Sequence, residues 1–230
     1  RDRSVSRGLG DVYKRQESQR RKRAMRIGID LLWVRVGICG GTESVVRNLL
    51  DGFTQYAPQH EYVLFVARDN AESFCHYTEY PCVKIHECPI DCANPAKRIL
   101  WENLHLDNTA VDAQVDVMLI PVYSKPASHS KIPYVSVIHD LQAVHYPQYF
   151  SPVKRLFLKY AWRKTCRTSA KIVAISDFVK EDIAKRYPYA ADKLVTIYDP
   201  ILSRQSGLSF SQLAEKLDLK QGKYFYCVSS

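Results

Sequence analysis

The chain has 230 residues, 46% of them hydrophobic and 25% charged, with a formal net charge of +9. That size admits one large domain, or one domain and part of another, and the composition excludes disordered and collagenous classes. No apolar run approaches the roughly 20 residues a bilayer span needs, and no signal-peptide pattern opens the chain, so the expected compartment is the cytoplasm.

Residues 1–24 hold nine Lys or Arg against three Asp or Glu, so +6 of the +9 lies there and +3 in the rest. A nucleic-acid binder needs a basic face on its folded part, so no nucleic-acid partner is expected. The opening lacks apolar periodicity, and "VSRGLGDVYKRQ" looks like translated adapter sequence. Residues 1–24 are therefore read as a non-native or disordered leader, with Met25 as the start of the fold.

From Met25 the pattern alternates short β-rich runs with helical ones. "MRIGIDLLW" reads as a buried strand; "TESVVRNLLDGFTQY" then places Val45, Val46, Leu49, Leu50 and Phe53 on one helical face. Thr42 suits an N-cap for that helix and Glu43 its dipole. "EYVLFVA" and "VKIHECP" read as strands, Pro95 to about Gln114 as a helix, "VDVMLIP" and "PYVSVIHD" as strands. A helix follows over 152–168, then strand "KIVAIS", helix "DFVKEDIAKRY" and strand "KLVTIYDP". Strands spaced by helices of this length predict an α/β fold with a doubly wound, mostly parallel, Rossmann-like sheet over residues 25–200. Residues 201–223 read as a connector with one short helix, and "YFYCVSS" (224–230) as the first strand of a further domain.

Sheets of this kind take ligands at the carboxyl ends of their strands, which directs attention to four places. Gly40 and Gly41 lie between the first strand and its helix, but G-x-x-G-G is neither the dinucleotide fingerprint nor a phosphate-binding Walker loop. The remaining choice is an anion or sugar site at a helix start, or a tight turn. His139 and Asp140 end the strand "YVSVIHD"; such a pair orients a hydroxyl or handles a proton, or else satisfies loop backbone. Pro121 to Ser124 (which includes Tyr123) and Ser176 end two other strands.

In the helix "SPVKRLFLKYAWRKTCR", Val153, Leu156, Phe157, Tyr160 and Ala161 form one face. Lys154, Arg155, Lys159 and Arg163 share the other with Leu158 and Trp162, which reads as an ordinary solvated face or as a contact for anionic headgroups. The seven cysteines are an odd number. Cys75, Cys82, Cys88 and Cys92 cluster near His76 and His86 without paired C-x-x-C spacing, so reduced thiols are expected and no metal. No G-x-S-x-G elbow supports a hydrolase.

Taken in order, "MRIGID…GGTESVVRNLL", "RILWENLHL", "PYVSVIHDLQAVHYPQYFS", "KIVAISDFVKEDI" and "VTIYDPI" resemble the N-terminal domain of the retaining family-four glycosyltransferases, which have the GT-B architecture. The resemblance implies transfer of a hexose from a nucleotide diphosphate sugar to a saccharide or lipid-linked acceptor, with retention and without a cofactor or metal. It implies that Gly40, Gly41, Thr42 and Ser176 serve the donor and that His139 contacts the sugar and helps place the acceptor hydroxyl, with Asp140 ordering that loop. Tyr123, Leu158, Lys159, Trp162 and Arg163 become acceptor- or membrane-facing candidates, with peripheral contact to an anionic membrane as a further partner. The family's basic pair and Glu-x7-Glu motif belong to a C-terminal domain and are not in this sequence, so the chain is expected to be inactive alone. "IYDPI" departs from the commoner Asn-containing link. Alternatives are another GT-B sugar-nucleotide enzyme, such as an epimerase, or a non-catalytic α/β binding module.

Overall fold

The computed structural model describes residues 24–126, 130–201, 207, 209–220 and 222–225. Within them, seven strands form one sheet: β1 (Arg26–Asp30), β2 (Glu61–Ala67), β3 (Val83–Cys88), β4 (Val117–Ile120), β5 (Tyr134–Ile138), β6 (Lys171–Ala174) and β7 (Leu194–Thr196). Their order is 3-2-1-4-5-6-7 and every pairing is parallel. The expected doubly wound sheet is therefore present, parallel throughout. β2 shows why: "EYVLFVA" is buried from Tyr62 onward, as a strand covered on both faces must be.

The helices are α1 (Gly41–Tyr56), α2 (Pro95–Trp101), α3 (Asp107–Asp112), α4 (Gln142–His145), α5 (Pro152–Thr168), α6 (Asp177–Arg186) and α7 (Phe210–Leu217). A π-turn, Glu102–Leu106, joins α2 to α3, and a 3₁₀ segment, Ala71–Glu79, precedes β3. The helix expected from Pro95 to Gln114 is thus real but carries one wider turn. It begins where the Asn94 side chain accepts from the Lys97 amide, with Pro95 in the first turn. α1 and the 3₁₀ segment cover one apolar cluster that includes Ile29, Leu50, Leu64 and Phe74. α3 covers a second around Phe65, Leu106 and Met118, and α5 and α6 a third around Ile138, Trp162 and Ile172.

Strand β1 passes so close to its neighbours that a Cβ on Gly28 would lie 2.5 Å from Met118 Sδ and 2.9 Å from Phe65 Cε2. Only glycine fits there.

Two expectations are corrected. On α5 the buried face is Leu158, Ala161, Trp162, Thr165 and Cys166, while Val153, Leu156 and Tyr160 are exposed. Leu158 and Trp162 are 4% and 2% accessible and belong to the core, so neither faces a membrane or acceptor. Both sets share the helical spacing; the decision falls to Thr165, whose hydroxyl donates to the Tyr123 carbonyl (2.6 Å) and accepts from the Lys125 amide (3.1 Å). Two satisfied bonds let a polar residue sit inside and carry Trp162 with it. The second correction concerns Thr42, which is no N-cap. Gly40 holds that position, and the Thr42 hydroxyl donates to the Cys39 carbonyl at 2.8 Å.

The connector expected at 201–223 contains α7, started by a reciprocal Ser209–Gln212 capping box. Residues 1–23 and 226–230, on which most of the leader and last-strand expectations fall, lie outside the described residues.

Candidate functional site

The strand order reverses between β1 and β4, and there a cavity of about 450 Å³ opens at the carboxyl ends of β1, β4 and β5. Such switch points are where open α/β sheets take ligands. β1 and the turn after it contribute Asp30 and Trp33; the glycine loop contributes Arg35, Cys39 and Thr42. Val122, Tyr123 and Ser124 follow β4, His139 and Asp140 follow β5, and Arg98, Ile99 and Glu102 come from α2 and its π-turn. Lys154 and Phe157 of α5 close the rim.

The turn after β1 is built around Asn70. Its amide donates to the Leu31 and Val34 carbonyls (2.9 and 2.8 Å) and its oxygen accepts from the Ala67 amide (2.9 Å). Asp30 Oδ1 accepts from the Leu32 amide, and the Trp33 indole donates to the Asp30 carbonyl. Sequence reasoning missed Asn70 because one polar residue in a loop has no periodic signature.

Further along, the chain turns left-handed at Gly37 (φ 73°) and Gly40 (φ 56°). Glu43 locks this loop to α1: it accepts from the Gly37 amide (2.9 Å) and pairs with Arg47 (2.9 Å), which also donates to the Ser73 carbonyl. Gly41 has no positive φ, and a Cβ there would meet nothing within 4 Å. In the chain by itself, then, Gly40 rather than Gly41 needs to be glycine. Gly40 and Gly41 sit between two cavity-lining residues, Cys39 and Thr42.

His139 Nε2 is 2.9 Å from the Pro121 carbonyl oxygen. A carbonyl only accepts, so this nitrogen carries a proton, leaving Nδ1 towards Asp199, 3.8 Å away. Both ring nitrogens are thus directed at chain groups. Desolvation raises the Asp199 carboxyl above its ordinary range, with His139 opposing the shift. Asp140 Oδ1 accepts from the Gln142 amide at 2.8 Å and closes the turn that carries His139. Tyr123 stands edge-on to Trp162 (6.1 Å between centroids), and burial pushes its hydroxyl pKa up. Ser176 is not among the cavity-lining residues; its hydroxyl accepts from the Val179 amide and caps α6. Lys159 and Arg163 are exposed on α5, away from this cavity.

The floor holds groups that sequence reasoning did not bring together. Asp30 is 1% accessible and Glu102 2%. Burial pushes both carboxyls up, and Asp30 adds to the rise at Glu102. Arg98, bonded to Glu102 at 2.5 Å, pulls both back. The Arg98–Glu102 spacing of four on a helix is readable in "RILWENLHL"; the approach of Asp30, from a strand 72 positions away, is not. Among the described residues no three His, Cys, Asp or Glu side chains gather as a metal-binding set, and Cys88 and Cys92 are buried thiols pushed up to about 12 by desolvation. No helix among them is long and apolar enough to cross a membrane.

The model of the family described as Glycosyltransferase Family 4 matches residues 39–201. No curated protein shows a significant match. Among solved structures, Anabaena Alr3699/HepE in complex with UDP is similar at a TM-score of 0.50 and 17% identity, over 84% of this chain and 50% of its own. A UDP-N-acetylglucosamine 2-epimerase gives a TM-score of 0.53 and 14% identity, over 76% and 48%. At these identities the likeness concerns the fold. The chain spans about half the length of the solved structures it matches.

Proposed function

The chain belongs to Glycosyltransferase Family 4, and on that premise we propose that it forms the acceptor-side half of an enzyme that moves a hexose from a nucleotide diphosphate sugar to a hydroxyl of a saccharide or lipid-linked acceptor, with retention and without a resident metal. The observation that carries the reading is the single cavity at the strand switch, lined together by the glycine loop, Tyr123, His139 and Asp140. UDP bound to the similar HepE structure supports a nucleotide donor.

The chemistry follows from the loop. Gly41 and Thr42 open α1, so their amides have no intrahelical acceptor and point, with the positive end of the helix dipole, at any phosphate placed there. Such donors stabilise the charge that grows on a leaving diphosphate. His139, held by the Pro121 carbonyl and Asp199, presents its ring edge to the sugar rather than a free nitrogen. The donor's remaining phosphate contacts come from a second half, so the 230-residue chain alone is inactive.

A peripheral contact with anionic membrane is part of the proposal, through a different set than Leu158 and Trp162. Val153, Leu156 and Tyr160 are exposed on α5 beside Arg155, Lys159 and Arg163, and such an apolar and basic surface complements acidic headgroups at the cytoplasmic face.

The test is sugar transfer by the full-length protein, measured as nucleoside diphosphate release and product mass with a panel of nucleotide sugars and saccharide acceptors. Transfer should occur, fall by at least tenfold in Gly41→Val, where a side chain enters the phosphate space, and fall in His139→Ala with little change in melting temperature. Epimerisation of the nucleotide sugar without transfer would replace the reading by the epimerase alternative.

A further inference from the structure

Three polar groups meet at the base of the cavity without being fully used by the protein. Asp30 Oδ1 accepts from the Leu32 amide and Glu102 Oε1 from Arg98. The second oxygens, Asp30 Oδ2 and Glu102 Oε2, accept no hydrogen bond among the described residues, although both side chains are nearly inaccessible and both line the cavity. Arg98 uses one of its five N–H donors, on Glu102. On a cavity lining, the two carboxyl oxygens are open to a ligand hydroxyl. Trp33 and Phe157 line the same cavity.

We propose that Asp30, Glu102 and Arg98 form a binding subsite for vicinal hydroxyls of an uncharged acceptor sugar, packed against Trp33 and Phe157. The inference rests on the glycosyl-transfer reading of the same cavity and adds the groups that recognise the acceptor. A hydroxyl both donates and accepts; above about pH 8, where both carboxyls are ionised, Oδ2 and Oε2 take its protons and the guanidinium supplies protons to its lone pairs. Arg98 and the neighbouring Lys164 offset the two carboxylates, which favours a neutral polyol over a cationic ligand. The π-turn is what brings Glu102 to this wall, and such turns collect at functional sites.

The probes are the methyl glycosides of glucose, galactose and mannose and their monodeoxy analogues, titrated into this chain by NMR at about pH 9, where Asp30 and Glu102 are both ionised. At least one glycoside should bind, and removing the recognised hydroxyl should weaken it on the order of tenfold, as for a hydrogen bond to a charged group. Asp30→Asn and Glu102→Gln keep the bonds to Leu32 and Arg98 but turn each free acceptor into a donor. Each should weaken binding by a similar factor and abolish the hydroxy-to-deoxy difference, which a purely structural role would leave intact. His145→Gln, on the surface, should change nothing. Excess UDP-glucose should leave the glycoside bound; displacement would assign the subsite to the donor's own sugar and overturn the proposal. So would unchanged affinity in both variants, or a wild-type chain that binds no glycoside although the full-length enzyme transfers sugar. Asp30-dependent glycoside binding in a protein without transferase activity would uphold the subsite and overturn the function instead.

Discussion

Replacing Asn70 by Ala removes the side chain that holds the turn after β1. Three hydrogen bonds are lost at once, and the carbonyl of Val34 and the amide of Ala67 lose the side chain that pairs them, while the Leu31 carbonyl keeps the Val34 amide at 3.1 Å. The site is 2% accessible, so water does not readily substitute. Each orphaned buried group costs about 1–3 kcal/mol, and since neighbouring losses are not additive the sum is about 4 kcal/mol. That is a large fraction of the roughly 5–15 kcal/mol by which a typical domain is stable. For a chain of this length it corresponds to a fall in melting temperature of roughly 8–16 °C. Asn70→Asp sharpens the argument: it keeps an acceptor for Ala67 but points carboxylate oxygens at two carbonyls, and should be no better than Ala at neutral pH. Urea and thermal unfolding followed by circular dichroism measure both. A loss below about 1 kcal/mol in either variant would show that the turn is held by something other than Asn70.

The glycine loop should divide by conformation. Gly40→Ala, at φ 56°, should cost about 1–2 kcal/mol in urea unfolding, whereas Gly41→Ala should cost less than half of that. Gly28→Ala should overpack the sheet against Phe65 and Met118 and destabilise by about 1–3 kcal/mol, read from the same curves. Burial raises Asp30 to about 6 and Glu102 to about 8, so the folded chain keeps these protons at a pH where the unfolded chain has released them. Their contribution is complete below the unfolded carboxyl values near 4 and is lost as pH rises towards 8, so the urea midpoint should fall over that window and Glu102→Gln should flatten the fall. On liposomes containing anionic lipid, Leu156→Glu with Lys159→Glu should reduce co-sedimentation of the chain and added salt should weaken it; Trp162→Ala would report on stability instead.

Much of the sheet was legible because strands buried on both faces are continuous apolar runs, and "EYVLFVA" matches β2 residue for residue. Helix existence followed from spacing for α1 and α5, but the inward face of α5 did not. Thr165 looks polar in sequence, and only the two bonds it makes across 40 and 42 positions show that it belongs inside. Thr42 misled for the opposite reason: a good capping residue stood two positions too late, and Gly40, with φ 56° and no side chain, holds the cap position instead. In the candidate site, Tyr123, His139 and Asp140 were readable because they end strands, and strand ends converge in a parallel sheet. Asp30 was not, being hidden in "RIGIDLLW" as one polar letter in an apolar run. Its significance comes from Glu102, and no local pattern links the two. The short 3₁₀ segment Ala71–Glu79 lacks a helical period and left no trace either.

The π-turn between α2 and α3 is also a constraint on length. Downstream, Leu106 and Ala110 are anchored in the core beside Met118 and Phe65; upstream, Arg98 and Glu102 face the cavity. Each residue of an α-helix advances the side-chain direction by about 100°. Removing one residue from the turn would straighten the helix but swing the upstream part by that angle, with the core end held fast. Arg98 and Glu102 would rotate off the cavity wall together. A chain of this family with an unbroken helix here would have to place its charged pair one position away in sequence, so indels in this turn and the identity of the cavity floor should change together.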